Sequence, residues 1–145
     1  YSRKQELLFG GIPKLVAPEI SLGGNFSYDI IGQFYSTTTV YGYIKKKDNS
    51  LSYETLLAIL NSQLCWWYLV HTGTVLANGY YRYKPAYLKP LPIPNITNNM
   101  DNMMRDKVNK AIQNTEKQII EKEINEMIYS WYNLTEDEII EVQNV

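Results

Sequence analysis

The 145-residue chain is long enough to bury about two-thirds of the surface its unfolded form exposes, the size of one domain. Its lone cysteine, Cys65, excludes an internal disulfide, and there is neither a charged-then-apolar leader nor a long uncharged apolar segment, so a cytoplasmic protein without a membrane span is expected. The net charge of −1 is unevenly spread: residues 1–96 hold nine Lys or Arg against five acids, net +4, and residues 97–145 hold five against ten, net −5, a division that suits a DNA-facing part and a solvated or packing part.

Tyr1 to Gly11 lacks an initiator Met and places Arg3 and Lys4 ahead of Leu7, Leu8 and Phe9, as in a fragment of something longer. Lys14 to Ile20 predicts a short strand over Leu15, Val16 and Ala17 that Pro18 stops, with a turn at Gly23–Gly24. Phe26, Tyr28 and Ile30 alternate with Ser27 and Asp29, the period of a half-buried strand. Thr37 to Lys46, rich in Thr, Val, Tyr and Ile, predicts the strongest strand of the chain, and it ends in the basic turn Lys45–Lys46–Lys47. Three adjacent lysines suit phosphate contacts, although a solvated loop has the same composition.

Leu51 to Val70 turns helical, with Ser52 capping a first helix and Asn61–Ser62 a second, so two short helices joined by a kink are expected. Trp66, Trp67 and Tyr68 in succession cover nearly every side of the second helix and are expected to pack in the core. His71, the only histidine, has no second ligand nearby and is not a metal candidate. Thr72 to Asn78 is a loop of small residues whose pivots, Gly73 and Gly79, suit a close approach to another molecule or a plain connector.

Gly79 to Pro94, GYYRYKPAYLKPLPIP, follows. Pro85, Pro90, Pro92 and Pro94 fix their own φ and push the preceding residues to extended geometry, which predicts a strap that is neither helix nor central strand. Tyr80, Tyr81, Tyr83 and Tyr87 beside Arg82, Lys84 and Lys89, with no acid, mix stacking surfaces and cations in a way that suits nucleic acid. The same residues also suit a cover over a neighbouring core, rings packed and polar ends in water.

Beyond a polar linker at Asn95 to Asn99, Met100, Met104, Val108 and Ile112 recur every fourth residue, the pattern of an amphipathic helix. Ile124, Met127, Ile128 and Trp131 lie on a different face, so a break near Asn114–Thr115 and an antiparallel helical hairpin are expected, with Thr115 and Gln118 in capping-box form. Asn133 suits a left-handed helix end, and Thr135 with Glu138 predicts a capped last helix.

The ordered series PKLVAPEIS, FYSTTTVYGYI, LLAILNSQLCWWYLVHTGTVLANG, GYYRYKPAYLKPLPIP and INEMIYSWYNLTEDEI resembles the TaqI-like C-terminal specificity domain, over about Pro13 to Ile140. That family is the target-recognition part of adenine-specific DNA methyltransferases and of type II restriction enzymes that fuse methylation to cleavage. The family usually has an acid near Asn125 and a glycine near Asn133, and this chain departs from both.

Catalytic signatures are missing. Adenine methylation in that superfamily needs a glycine-containing cofactor loop and an Asn/Asp-Pro-Pro-aromatic motif, and the sequence contains no Pro-Pro pair. The acids that a Mg²⁺-dependent nuclease would need are concentrated in the tail, where Glu116, Glu121, Glu123 and Glu126 read as a solvated face. The resemblance thus implies an α+β DNA target-recognition domain spanning 1–145, with a β-rich part carrying a kinked helix over 1–96 and a helical hairpin over 97–145. It implies duplex DNA and a methyltransferase domain of the same parent chain as partners. It also implies S-adenosylmethionine as the parent's cofactor and none in this fragment. The DNA-facing candidates are Thr38, Lys45, Lys46, Lys47, Asn78, Tyr81, Arg82 and Lys84. The alternative is a protein-interaction domain that uses Trp66, Trp67 and Tyr68, with no direct DNA role.

Overall fold

The computed structural model of the protein describes residues 11–32, 40–83, 85–113 and 116–145. The architecture is α+β, with small antiparallel sheets towards the N-terminus and helices beyond. Strands β1 (Lys14–Pro18), β3 (Ser27–Asp29) and β4 (Val40–Tyr43) form one sheet in the order β3-β1-β4. Strands β2 (Ile20–Ser21) and β5 (Tyr81–Arg82) form a second, two-stranded sheet. The opening residues 1–10, and the 37–39 start of the strand expected over Thr37 to Lys46, lie outside the described residues.

In β1, Leu15 and Ala17 turn one face into the core, as alternation requires. The opposite face is also covered: Lys14 is 0% exposed and makes a 2.9 Å ion pair with Asp29, its directly opposed partner on β3. This corrects the simple half-buried reading of β3. Phe26 is buried, but so is Asp29, while Ile30 stands exposed, because an ionised lysine inside the protein needs a carboxylate beside it more than the strand needs an inward isoleucine.

Helices α1 (Tyr53–Asn61) and α2 (Gln63–Thr72) meet at Ser62. Ser52 accepts the Thr55 N–H and Ser62 the Cys65 N–H, so both serine caps act as expected. Asn61, at the junction, clasps the backbone of Phe26 from both sides, accepting its N–H at 2.8 Å and donating to its carbonyl at 2.9 Å. A Cβ on Gly24 would come within 2.8 Å of the Asn61 Cα, so only glycine lets the two backbones close up there. Trp66, Trp67 and Tyr68 are half-buried against the core, in line with their expected packing.

The proline-rich strap departs from its expected form in one place. Tyr81 and Arg82 pair with β2 in an extended edge strand, but Pro85 opens a one-turn helix, α3 (Pro85–Leu88), instead of forbidding one. Proline lacks only an N–H that the first helical residue does not use, and its φ already suits a helix start. Leu88 and Leu91 then enter the core, and the Tyr132 hydroxyl donates to the Pro92 carbonyl at 2.6 Å.

The tail forms α4 (Asn98–Gln113), α5 (Lys117–Trp131) and α6 (Glu136–Gln143). Thr97 caps α4 through the Met100 N–H, so the helix begins inside the expected linker. Its buried stripe is Asp101, Met104, Val108 and Ala111, and Ile112 is 59% exposed. Each four-residue step overshoots a full turn by about 40°, so three such steps carry Ile112 off the core face, where a three-residue step brings Ala111 back. Lys107 reaches Glu123 at 2.6 Å across the hairpin. The proposed break at Asn114–Thr115, and with it the Thr115 cap, lies outside the described residues. Asn133 has φ 55, and Thr135 with Glu138 forms the full capping box, both as expected.

Polar bonds fasten the tail to the kinked helix pair. Asp101 on α4 accepts the Ser52 N–H at 3.2 Å and its hydroxyl at 2.8 Å, and Arg105 meets Glu54 at 2.9 Å. The Asn125 carboxamide oxygen accepts the Gln63 N–H at 2.9 Å, so a neutral amide caps α2. Burial alone would raise the Asp101 carboxyl, but hydrogen bonds from Thr55 and Ser52, with Arg105 nearby, hold it below the usual carboxylate range. Replacing Asp101 with Ala is expected to cost about 1–3 kcal/mol of unfolding free energy near neutral pH, read by urea denaturation. A depressed carboxyl stabilises the fold above its unfolded pKa of about 3.9 and loses that effect as pH falls through the lower folded value. The gap between wild type and Asp101→Ala should therefore stay constant above about pH 5 and narrow in stronger acid; a gap independent of acid would assign the loss to packing instead.

Candidate nucleic-acid interface

Residues 74–82 form a hairpin. Val75 pairs with Tyr81 in an antiparallel bridge, Arg82 N–H donates to Thr74 O, and Leu76 N–H donates to Tyr80 O at 2.7 Å. Gly79 N–H closes the turn onto Leu76 O at 3.0 Å, and Gly79 has φ +78. Among the described residues only Asn133 combines a side chain with positive φ, so Ala77 and Asn78 form an ordinary type I turn and Gly79 supplies the left-handed residue of a G1 bulge. The glycine is there for its φ, since a Cβ at Gly79 would meet nothing within 4 Å. Asn-Gly between Val75-Leu76 and Tyr80-Tyr81 is a hairpin signal that the reading of this stretch as a small-residue loop passed over.

The hairpin root is held by aromatic contacts. Trp66 meets Tyr81 edge-on at 5.3 Å and lies over Tyr83 at 6.3 Å, and Phe26 meets Tyr83 edge-on at 5.7 Å. The Tyr83 ring is 1% exposed; its hydroxyl donates to Gly23 O at 2.8 Å, and burial, with Cys65 close by, raises its pKa well above the usual tyrosine range. On the other leg, Thr74 and Tyr87 share a 2.7 Å hydroxyl contact.

Strand alternation then turns Tyr80 and Arg82 away from Trp66. Tyr80 is 41% exposed. Arg82 is half-buried, its Nε has no hydrogen-bond partner, and no acid among the described residues pairs with its guanidinium. The Nε is shut off from solvent, and the guanidinium charge has no internal counter-ion among the described residues.

The sequence-nominated residues fall into two groups. Asn78, Tyr81 and Arg82 share the hairpin, Asn78 at its exposed tip and Tyr81 half-buried against Trp66. The lysine turn sits elsewhere: β4 ends at Tyr43 opposite Leu15, whereas β2 and its partner β5 follow Pro18, so the two groups lie towards opposite ends of β1. Within the turn, Lys45 is engaged by its own surroundings, its Nζ 2.6 Å from Leu51 O and over the Tyr53 ring at 4.9 Å. Lys46 and Lys47 are exposed and make no ion pair among the described residues. Thr38 and Lys84 lie outside the described residues. Tyr80 was not nominated; alternation with Tyr81 was the signal that it shares the Arg82 face.

No group of three or more His, Cys, Asp or Glu side chains among the described residues is placed to hold a metal ion. Burial pushes the Cys65 thiol up to about 12, far from the thiolate form that a nucleophile needs. No helix among the described residues is long and apolar enough to cross a membrane.

Compared with protein-family profiles, residues 2–93 match the TaqI-like C-terminal specificity domain. The match takes in the strands, the kinked helix pair, the hairpin and most of the strap, and it ends before the helical tail that also entered the resemblance. No curated protein matches the chain. Since residues 2–93 are well over half of its 145 residues, the chain belongs to the TaqI-like C-terminal specificity domain family.

Proposed function

We propose that this chain is the DNA target-recognition domain of a prokaryotic, cytoplasmic restriction-modification enzyme that methylates adenine. Membership of a specificity-domain family is the observation that carries the reading. In it, residues 1–145 act as one recognition unit, and duplex DNA is held against a methyltransferase domain of the same parent chain that binds S-adenosylmethionine and flips the target base. If a nuclease is fused to that parent, the same recognition serves cleavage. This chain is the non-catalytic part.

The unpaired Arg82 and the exposed Lys46 and Lys47 support DNA contact at two places along the β-rich part. Phosphate contacts position the duplex, and base edges in the major groove carry the sequence information. The alternative of a protein-binding surface on Trp66, Trp67 and Tyr68 is less well supported, because all three are half-buried against the core.

Binding of short duplex DNA by the full-length protein, titrated over a range of salt, tests the reading. Affinity should fall as salt rises, with a log–log slope of about −0.9 per phosphate contact, and binding indifferent to salt, or none, would end the DNA reading. Lys46→Ala with Lys47→Ala should weaken binding by a similar factor on every sequence and reduce that slope by about one to two. Lys45→Ala should act chiefly on stability, since its ammonium serves Leu51 and Tyr53.

Arg82→Ala makes the sharper separation. A DNA contact should cost about 1–3 kcal/mol of binding and leave the melting temperature almost unchanged, since the guanidinium has no acid partner among the described residues to lose. If melting falls steeply while affinity per folded molecule is preserved, Arg82 is structural and the reading surface lies elsewhere.

A further inference from the structure

Asn78 occupies a position that asparagine often takes for local reasons. An asparagine that opens a turn can bond the backbone two residues on. Asn78 stands third in its turn instead: the Gly79 and Tyr80 backbone bonds that close the turn involve Leu76 alone, and the Asn78 side chain makes no hydrogen bond among the described residues. Its donor pair and acceptor are held out at an exposed tip between two residues with little or no side chain, Ala77 and Gly79.

The support beneath the tip is rigid. One leg continues into β5, which pairs with β2 and is pinned by Tyr81 and Tyr83 on Trp66. The other leg starts directly after α2, where Gly73 N–H closes onto Leu69 O at 2.7 Å, and is braced by the Thr74–Tyr87 contact. Val75, 57% exposed, and Tyr80 flank the tip with apolar surface. The major groove, about 12 Å wide, admits a two-stranded ribbon, and it is there that the four base pairs present distinguishable edges.

Resting on the DNA-recognition reading above, we propose that the 74–82 hairpin enters the major groove as a reading ribbon and that Asn78 is a specificity-determining residue for an adenine. A carboxamide matches the adenine edge there, its oxygen accepting from N6–H₂ and its amide donating to N7, and no other base presents that donor–acceptor pair in that order. Arg82, at the ribbon's root and on its free face, then lies nearer the groove's edge.

The test is selection of bound duplexes from a pool with a randomised core, by the full-length protein and by its Asn78→Ala variant. The wild type should select a sequence with a fixed adenine that the variant no longer prefers, its other positions being kept. Putting 7-deazaadenine at that position, which removes only N7, should weaken wild-type binding about tenfold and leave the variant's binding unchanged. The variant should melt with the wild type, because the carboxamide has no internal bond to lose. Identical selected sequences overturn the proposal, as does a steep fall in melting temperature. A variant that selects the same sequence yet methylates poorly overturns it too and makes the hairpin a contact with the catalytic domain. If the wild type selects no sequence at all, the DNA-recognition reading fails first and the hairpin's role falls with it.

Discussion

Trp66 is the contact on which the candidate surface depends. It sits on α2, within the family match, and takes Tyr81 on edge and Tyr83 face to face, while Phe26 packs edge-on against Tyr83. Aromatic pairs of this kind add about 0.5–1.5 kcal/mol each beyond their buried area. More important here is what they do to orientation. Two alternate residues of one strand are pinned, so the residues between and before them, Arg82 and Tyr80, are turned outward. The tyrosines of the strap therefore divide: Tyr81, Tyr83 and Tyr87 pack on the domain, and Tyr80 faces outward.

The helical tail is tied to this scaffold at helix ends. Asp101 satisfies the start of α1, Asn125 the start of α2, and Gln63 returns a bond to the carbonyl of Val142 on α6. Helix starts leave N–H groups that must find acceptors, so acceptors arriving from the tail fix where it docks. Asn125 and Asn133 show two structural uses of asparagine in the tail. A carboxamide caps a helix nearly as well as a carboxylate, and asparagine tolerates the left-handed conformation that glycine takes without cost. Lys107–Glu123 and Lys117–Glu121 in the tail are surface pairs, and pairs of that kind contribute about 0–1 kcal/mol.

The two polar features least like a surface protein, the Lys14–Asp29 pair and the unpartnered Arg82 Nε, lie on strands of different sheets. They carry opposite messages. A buried lysine with a carboxylate 2.9 Å away is a satisfied internal group, whereas an arginine nitrogen removed from water without a partner among the described residues is a local cost of the fold.

Local chemistry made much of this protein legible from the sequence alone. The serine caps, the kinked helix pair, the Thr135–Glu138 box and the left-handed Asn133 all depend on groups within a few residues of one another, and the ordered aromatic and proline series identified the family. Tertiary structure decided what depends on distant neighbours. Pro85 could open a helix because the turn after it had a core to pack into, Asp29 went inside because Lys14 was opposite, and Ile112 left the core because α4 meets its neighbours along a stripe that periods of four cannot follow. The candidate site belongs to the second kind. That Tyr81 faces Trp66 while no acid among the described residues pairs with Arg82 is a matter of which residues, far apart in the chain, the fold brings together. Composition alone could show that cations and rings were abundant in the strap, but free and committed cations look the same until their neighbours are placed.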